Sequence, residues 1–223
     1  MMRYEELLLA ELFAKADEGY RTFIKRLLKN EKINVIGVRM PTLRKIAKAR
    51  KGEFEAILAC SNRYYEINLL KCLIAGMLPF DAFTKFVDCL VSLLDNWAVV
   101  DSFTAPCIAK HRTEFLPFIE RFFADGSEFA VRYALVTLLH YYLDEQFLPR
   151  IFAYLRTCSM EQYYVSMAAA WLVAEVLVKF YDEGVRFLEE GSLDCATRRR
   201  AVRKACESFR LSAEQKVAIK RFR

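Results

Sequence analysis

Asp95-Asn96-Trp97-Ala98-Val99-Val100-Asp101-Ser102-Phe103 is the stretch from which the rest of the chain can be read. Trp97 and Asp101 stand four residues apart, so on a helix the indole and the carboxylate point the same way. The flanking residues keep apolar side chains at helical spacing, and Asn96–Lys110 is expected to form one helix. Such a pair can be an ordinary polar anchor in a core, or a place where positive charge is held.

Stepping outward by 35 residues finds the same pattern again. From Asn62 the series is Asn62, Trp97, Arg132, Met167, Val202; from Glu66 it is Glu66, Asp101, Val136, Trp171, Cys206. The apolar blocks around these positions keep register. Paired helices at such a period are the signature of a HEAT-like α-solenoid, in which each repeat packs on its neighbours and equivalent positions form columns. The expectation is an all-α chain forming one HEAT-like repeat domain over residues 1–223.

The other segments agree. Helices are expected over 4–15, 20–28, 53–60, 62–77, 79–93, 114–123, 128–143, 145–157, 160–180, 183–190, 197–209 and 213–222. A further helix opens at Met40-Pro41-Thr42, where proline in the first turn does no harm because its missing N–H has no intrahelical partner there. Seven glycines and five prolines in 223 residues are too few for the many turns of a sandwich or barrel. With 55% apolar residues the chain can bury a core.

Several function classes drop out. No run of about 18 uncharged apolar residues is present, so no membrane span is expected. Met1–Glu6 places acids where a signal peptide would be apolar, and a cytoplasmic protein, nucleoid-associated when bound to DNA, is expected. The seven cysteines (Cys60, Cys72, Cys89, Cys107, Cys158, Cys195 and Cys206) are odd in number and include no C-x-x-C pair. They read as reduced core thiols. With His111 and His140 as the two histidines, no metal site is expected. No Ser/His/Asp set, paired-carboxylate site or Gly-rich phosphate loop stands out.

The net charge of +6 is concentrated at one end. Residues 196–223 carry ten Lys/Arg and two acids, a net +8, whereas the first 195 carry 24 and 26, a net −2. That asymmetry points to a polyanionic partner or, equally, to a solvated helix face.

In the columns of a solenoid, Trp97 aligns with Arg132, and Asp101 with Trp171. The four are expected to converge on one patch. Taken singly, each also has a structural reading, since tryptophans at helical spacing usually sit in cores and Asp101–Arg132 could be a plain ion pair.

Gly37-Val38-Arg39-x-Pro41-x-Leu43-Arg44, Trp97-x-x-x-Asp101, the helix around Arg132, and Trp171 within Ala168–Glu175 together resemble the AlkD-type DNA alkylation-repair proteins, over nearly the whole chain. The resemblance implies a HEAT-like fold and a DNA glycosylase that excises cationic N3- or N7-alkylated purines without a cofactor. It implies that Asp101 stabilises the developing sugar cation and positions water. Trp97 and Trp171 would pack on the backbone of the damaged nucleotide, and Arg132 would contact the DNA backbone near the lesion. A tyrosine that some members place just before the Gly37 segment has no evident counterpart; Leu27 and Leu28 lie near that position.

The chemistry is coherent. A cationic purine is already a good leaving group, and the transition state resembles an oxocarbenium ion. One carboxylate in a partly dry pocket supplies the missing negative charge, and indole faces attract cations. A lone acid serves a cationic leaving group better than a neutral one.

The candidate DNA contacts are Arg39, Arg44, Lys45, Lys48, Lys71, Lys110, Arg112, Arg198, Arg199, Arg200, Arg203 and Lys204, about half of which are expected to reach phosphates. The expected partner is alkylated double-stranded DNA, bound by a monomer without sequence-specific base readout. A non-catalytic binder of damaged or branched DNA, and a protein–protein scaffold, are the competing readings.

Overall fold

The computed structural model describes residues 2–28 and 32–223, with the side chains from residue 4 on. Met1, with which the N-terminal acidic stretch begins, lies outside the described residues. The fold is all-α: fifteen α-helices and three short 3-10 segments among the described residues, plus one isolated bridge between Asn34 and Tyr64. No described helix is long and apolar enough to cross a membrane. The chain divides into two compact units, Met1–His111 and Arg112–Arg223.

The first unit contains α1 (Met2–Phe13), α2 (Glu18–Leu28), α3 (Met40–Ala49), α4 (Phe54–Leu58), α5 (Tyr65–Ala75), α6 (Phe80–Phe83), α7 (Val87–Val91) and α8 (Trp97–Ser102). Helix α5 is its centre: α3, α4, α7 and α8 all pack on it. That position explains why ten of its eleven residues are buried, including Glu66, Asn68 and Lys71.

The second unit contains α9 (Arg112–Asp125), α10 (Glu128–Tyr141), α11 (Leu148–Thr157), α12 (Tyr163–Lys179), α13 (Tyr181–Glu189), α14 (Cys195–Glu207) and α15 (Ala213–Ile219). Here α10, α12 and α14 pack side by side in chain order, with α9 against α10 and α13 against α12. Polar links between successive helix pairs recur near the 35-residue step. They include Tyr154 to Glu120 and Arg156 to Glu190 at 34, Lys179 to Leu143 at 36, and Arg210 to Glu175 at 35. The periodicity in sequence is thus a periodicity in contacts, as stacked repeats require.

Two of the expected helices are interrupted. The 96–110 segment ends its α-helix at Ser102 and resumes as a 3-10 turn over Pro106–Lys110. Pro106 is the reason. Its ring disfavours helical backbone at the preceding residue, and Ala105 is extended at φ −129° and ψ 90°. The released segment crosses α5 where its C-cap is Gly76; a Cβ there would lie 2.0 Å from the Thr104 carbonyl oxygen. The 79–93 segment likewise splits into α6 and α7.

The cysteines are all free, but only Cys60 and Cys72 are buried; Cys89 and Cys195 are exposed. The core-thiol expectation therefore holds for two of the seven. Burial pushes the Cys72 thiol up to about 12.

Between α2 and α3 the chain is held by a buried acid. Glu66 accepts the main-chain N–H groups of Ile36 (3.0 Å), Gly37 (2.8 Å) and Val38 (3.3 Å). Gly37 has φ +99°, and a Cβ there would lie 2.6 Å from the Asp17 carbonyl oxygen. Gly37→Ala is therefore expected to cost at least about 2 kcal/mol in a denaturant titration, from the positive φ alone before the clash is counted. An unchanged midpoint would refute that account.

Candidate functional site

Asn96 starts α8 by accepting the Val99 N–H on its side chain at 3.0 Å, and it donates to Asp95 at 2.7 Å. Such a cap satisfies one of the N–H groups that a short helix leaves unpaired. Val99, Val100 and Phe103 turn into the core, whereas Trp97 and Asp101 lie half-buried one turn apart on the other side. The helix is six residues long and is held by its packing on α5. Asp101 thus reaches solvent beside an indole, as a carboxylate that meets a ligand must.

Helix α3 is amphipathic. Leu43, Ile46 and Ala47 are buried; Arg44, Lys45 and Lys48 are exposed, with no ion pair to an acid among the described residues. Across an open groove of about 630 Å³ in this unit, Arg44, Lys48 and Lys51 face Ser102 and Thr104, with Leu73 and Met77 also lining it. Lys110 is exposed as well. Arg39 is exposed but engaged: its guanidinium binds Asp17 at 2.7 and 3.0 Å and lies 5.3 Å from the centre of the Tyr20 ring. The aromatic ring beside the Gly37–Arg39 segment is therefore Tyr20 on α2. Leu28, near the position where some family members carry a tyrosine, is buried.

Lys71 must be removed from the DNA contacts. It is 2% exposed, and its ammonium donates to the Cys60 carbonyl at 2.5 Å and to Asn62 Oδ1 at 2.6 Å. Burial lowers its pKa below the ordinary lysine value. The helical pattern could not show this, because α5 is covered on every side.

In the second unit Arg132 keeps 6% of its surface. Its Nη1 donates to the Tyr164 carbonyl at 2.9 Å, and the guanidinium lies 6.0 Å from the Tyr164 ring centre. Tyr164 N–H in turn donates to Glu128 at 2.8 Å, so α10 and α12 are fastened at this point. Trp171, on α12, is half-buried, with the exposed His140 edge-on to it at 6.2 Å. Trp97 and Asp101 thus belong to one unit, Arg132 and Trp171 to the other.

The basic run on α14 divides in the same way. Arg199 and Arg203 are exposed; Arg198, Arg200 and Lys204 are half-buried. Arg200 donates to the Ser166 hydroxyl and lies 5.3 Å from the Tyr163 ring centre. Arg112 is spent on structure: it pairs with Asp144 and stacks 4.7 Å from the centre of Phe147. Among the described residues no three His, Cys, Asp or Glu side chains gather as metal ligands would.

Sequence reasoning passed over Tyr20, Tyr164 and Glu128, and it placed Glu66 in the repeat without giving it a role. A signal existed for Glu66: it is the one acid in α5, a mainly apolar helix.

Packed helices, a Trp-x-x-x-Asp turn open to solvent on α8, and cations on α3 in one unit and on α14 in the other with no acid paired to them among the described residues define an all-helical protein whose basic faces suit a polyanion. Residues 8–209 match the family described as DNA alkylation repair enzyme, and the chain belongs to that family. No match was found among curated proteins.

Proposed function

We propose that the protein is a DNA glycosylase that hydrolyses the N-glycosidic bond of cationic N3- or N7-alkylated purines. The observation that carries this reading is Asp101, half-buried one helical turn from Trp97 and reaching solvent on α8. Family membership supplies the context of DNA alkylation repair.

In this reading the purine's own positive charge weakens the bond to the sugar. As the base departs, positive charge grows on the sugar ring, and the Asp101 carboxylate stabilises it while orienting the attacking water. Trp97 packs on the nucleotide backbone beside the carboxylate and keeps bulk water away. Trp171 likewise packs on the DNA backbone. Arg132 contacts it through the small part of its surface that stays exposed. No cofactor enters the step. The protein acts as a monomer in the cytoplasm, on duplex DNA.

Phosphates are bound by Arg44, Lys45, Lys48, Lys110, Arg199 and Arg203, with Arg39, Arg198, Arg200 and Lys204 at the margins. Each phosphate contact adds about −0.9 to the slope of log affinity against log salt. Lys48→Ala is expected to make that slope shallower by about one while the melting temperature holds. Lys71→Ala is expected to lower the melting temperature and leave the slope alone. A slope change of equal size in both variants would contradict the assignment.

The direct test is base release from a duplex holding N7-methylguanine, compared with the same duplex holding undamaged guanine. Release from the first alone is the expected result. Salt-dependent binding of both duplexes with release from neither would favour the non-catalytic binder, and absence of binding at low salt the scaffold.

A further inference from the structure

Phe209 lies in the loop between α14 and α15 and is 100% exposed. A single apolar side chain at a surface is ordinary; what sets this ring apart is that its loop is fastened on both sides. The loop does not let the ring fold back. On one side Ser208 closes α14 in an extended conformation, and its hydroxyl accepts the Arg210 N–H at 3.2 Å. On the other side Leu211 is buried, and Ser212 opens α15 with a reciprocal capping box. Between them the Arg210 guanidinium grips both oxygens of Glu175, at 2.7 and 2.8 Å.

That grip fixes which face the loop belongs to. Glu175 stands four residues after Trp171 on α12, and residues so spaced share a helix face. The ring is therefore projected from a loop fastened to the Trp171 face. The C-terminal segment that carries the ring suits a polyanion: Arg199 and Arg203 are exposed on α14, and residues 196–223 carry a net +8.

We infer that Phe209 is a stacking side chain for a base that has lost its pairing partner, so that the protein's preferred DNA carries an unpaired or unstacked nucleotide. The inference rests on the reading that the Trp171 face bears on DNA. Rigidly presented aromatic side chains stack on exposed bases or wedge into opened base steps, while neighbouring cations hold the phosphates.

The test compares two duplexes of equal length, one fully paired and one with a single bulged adenine, bound by the full-length wild type, Phe209→Ala and Phe209→Tyr. The wild type is expected to prefer the bulged duplex. Phe209→Ala loses roughly tenfold on that duplex, in the range measured for one stacked base, and is unchanged on the paired one. Phe209→Tyr restores the preference. Because the ring makes no burial contribution, loss of fold does not confuse the result.

The inference is overturned if the wild type shows no preference, or if Phe209→Ala binds both duplexes as the wild type does. It is also overturned if sedimentation shows a wild-type dimer that Phe209→Ala dissociates, since the ring then serves a second copy of the chain. If the bulge preference depends on Phe209 but N7-methylguanine is not released, the inference stands and the glycosylase reading fails. If the base is released and Phe209→Ala binds normally, the reverse holds.

Discussion

Asp101→Asn is expected to slow release of N7-methylguanine by about 10²–10³-fold, measured in a single turnover with enzyme in excess. The size follows from Coulomb's law. A unit negative charge about 4 Å from a developing positive charge is worth about 4 kcal/mol at an effective dielectric of 20, roughly a thousandfold in rate. Asparagine keeps the shape and part of the dipole but removes the charge, which places the loss at or below that figure. Because Asp101 is half-exposed on a helix capped by Asn96, the fold should hold. DNA affinity should move by less than about threefold, since ground-state binding does not use the carboxylate. Equal rates for wild type and variant, with binding retained in both, would remove Asp101 from the chemistry.

Glu66→Gln is expected to be the most damaging conservative substitution in the first unit. The side chain is 0% exposed and serves three main-chain N–H groups with two oxygens. Glutamine offers one oxygen and turns an amide donor toward N–H groups that are donors themselves. At least one buried N–H then loses its acceptor, and charge-assisted bonds become neutral ones. The expected cost is about 2–4 kcal/mol. In a chain of this size that lowers the melting temperature by roughly 5–15 °C. Amide exchange should accelerate first at Ile36, Gly37 and Val38. Since this segment leads directly into α3, weaker DNA binding through Arg44 and Lys48 should follow. Unchanged protection of those three amides would show that Glu66 does not hold the segment.

The two substitutions fall on positions that the sequence treats as equivalent. Glu66 and Asp101 are one 35-residue step apart, each an acid among apolar residues. In the structure they do opposite things. Helix α5 is enclosed by four neighbours, so Glu66 turns inward and spends its charge on the backbone. Helix α8 is short and covered on one side, so Asp101 keeps a path to solvent. The same contrast explains Lys71, which looks like a DNA contact in sequence but is buried in α5. It explains Arg112 too, which resembles a surface cation in sequence but is paired with Asp144 some thirty residues on. The break at Pro106 was legible in principle, because a proline restricts the residue before it, whereas the crossing over Gly76 was not.

The sequence by itself determined that the chain is helical, that its helices repeat near every 35 residues, and that α3 and α14 are basic. Each of these is a matter of local spacing, which a linear reading preserves. Tertiary structure alone decided which acids and cations face water, because a side chain's exposure is set by the helices packed over it. Those arrive from other parts of the chain.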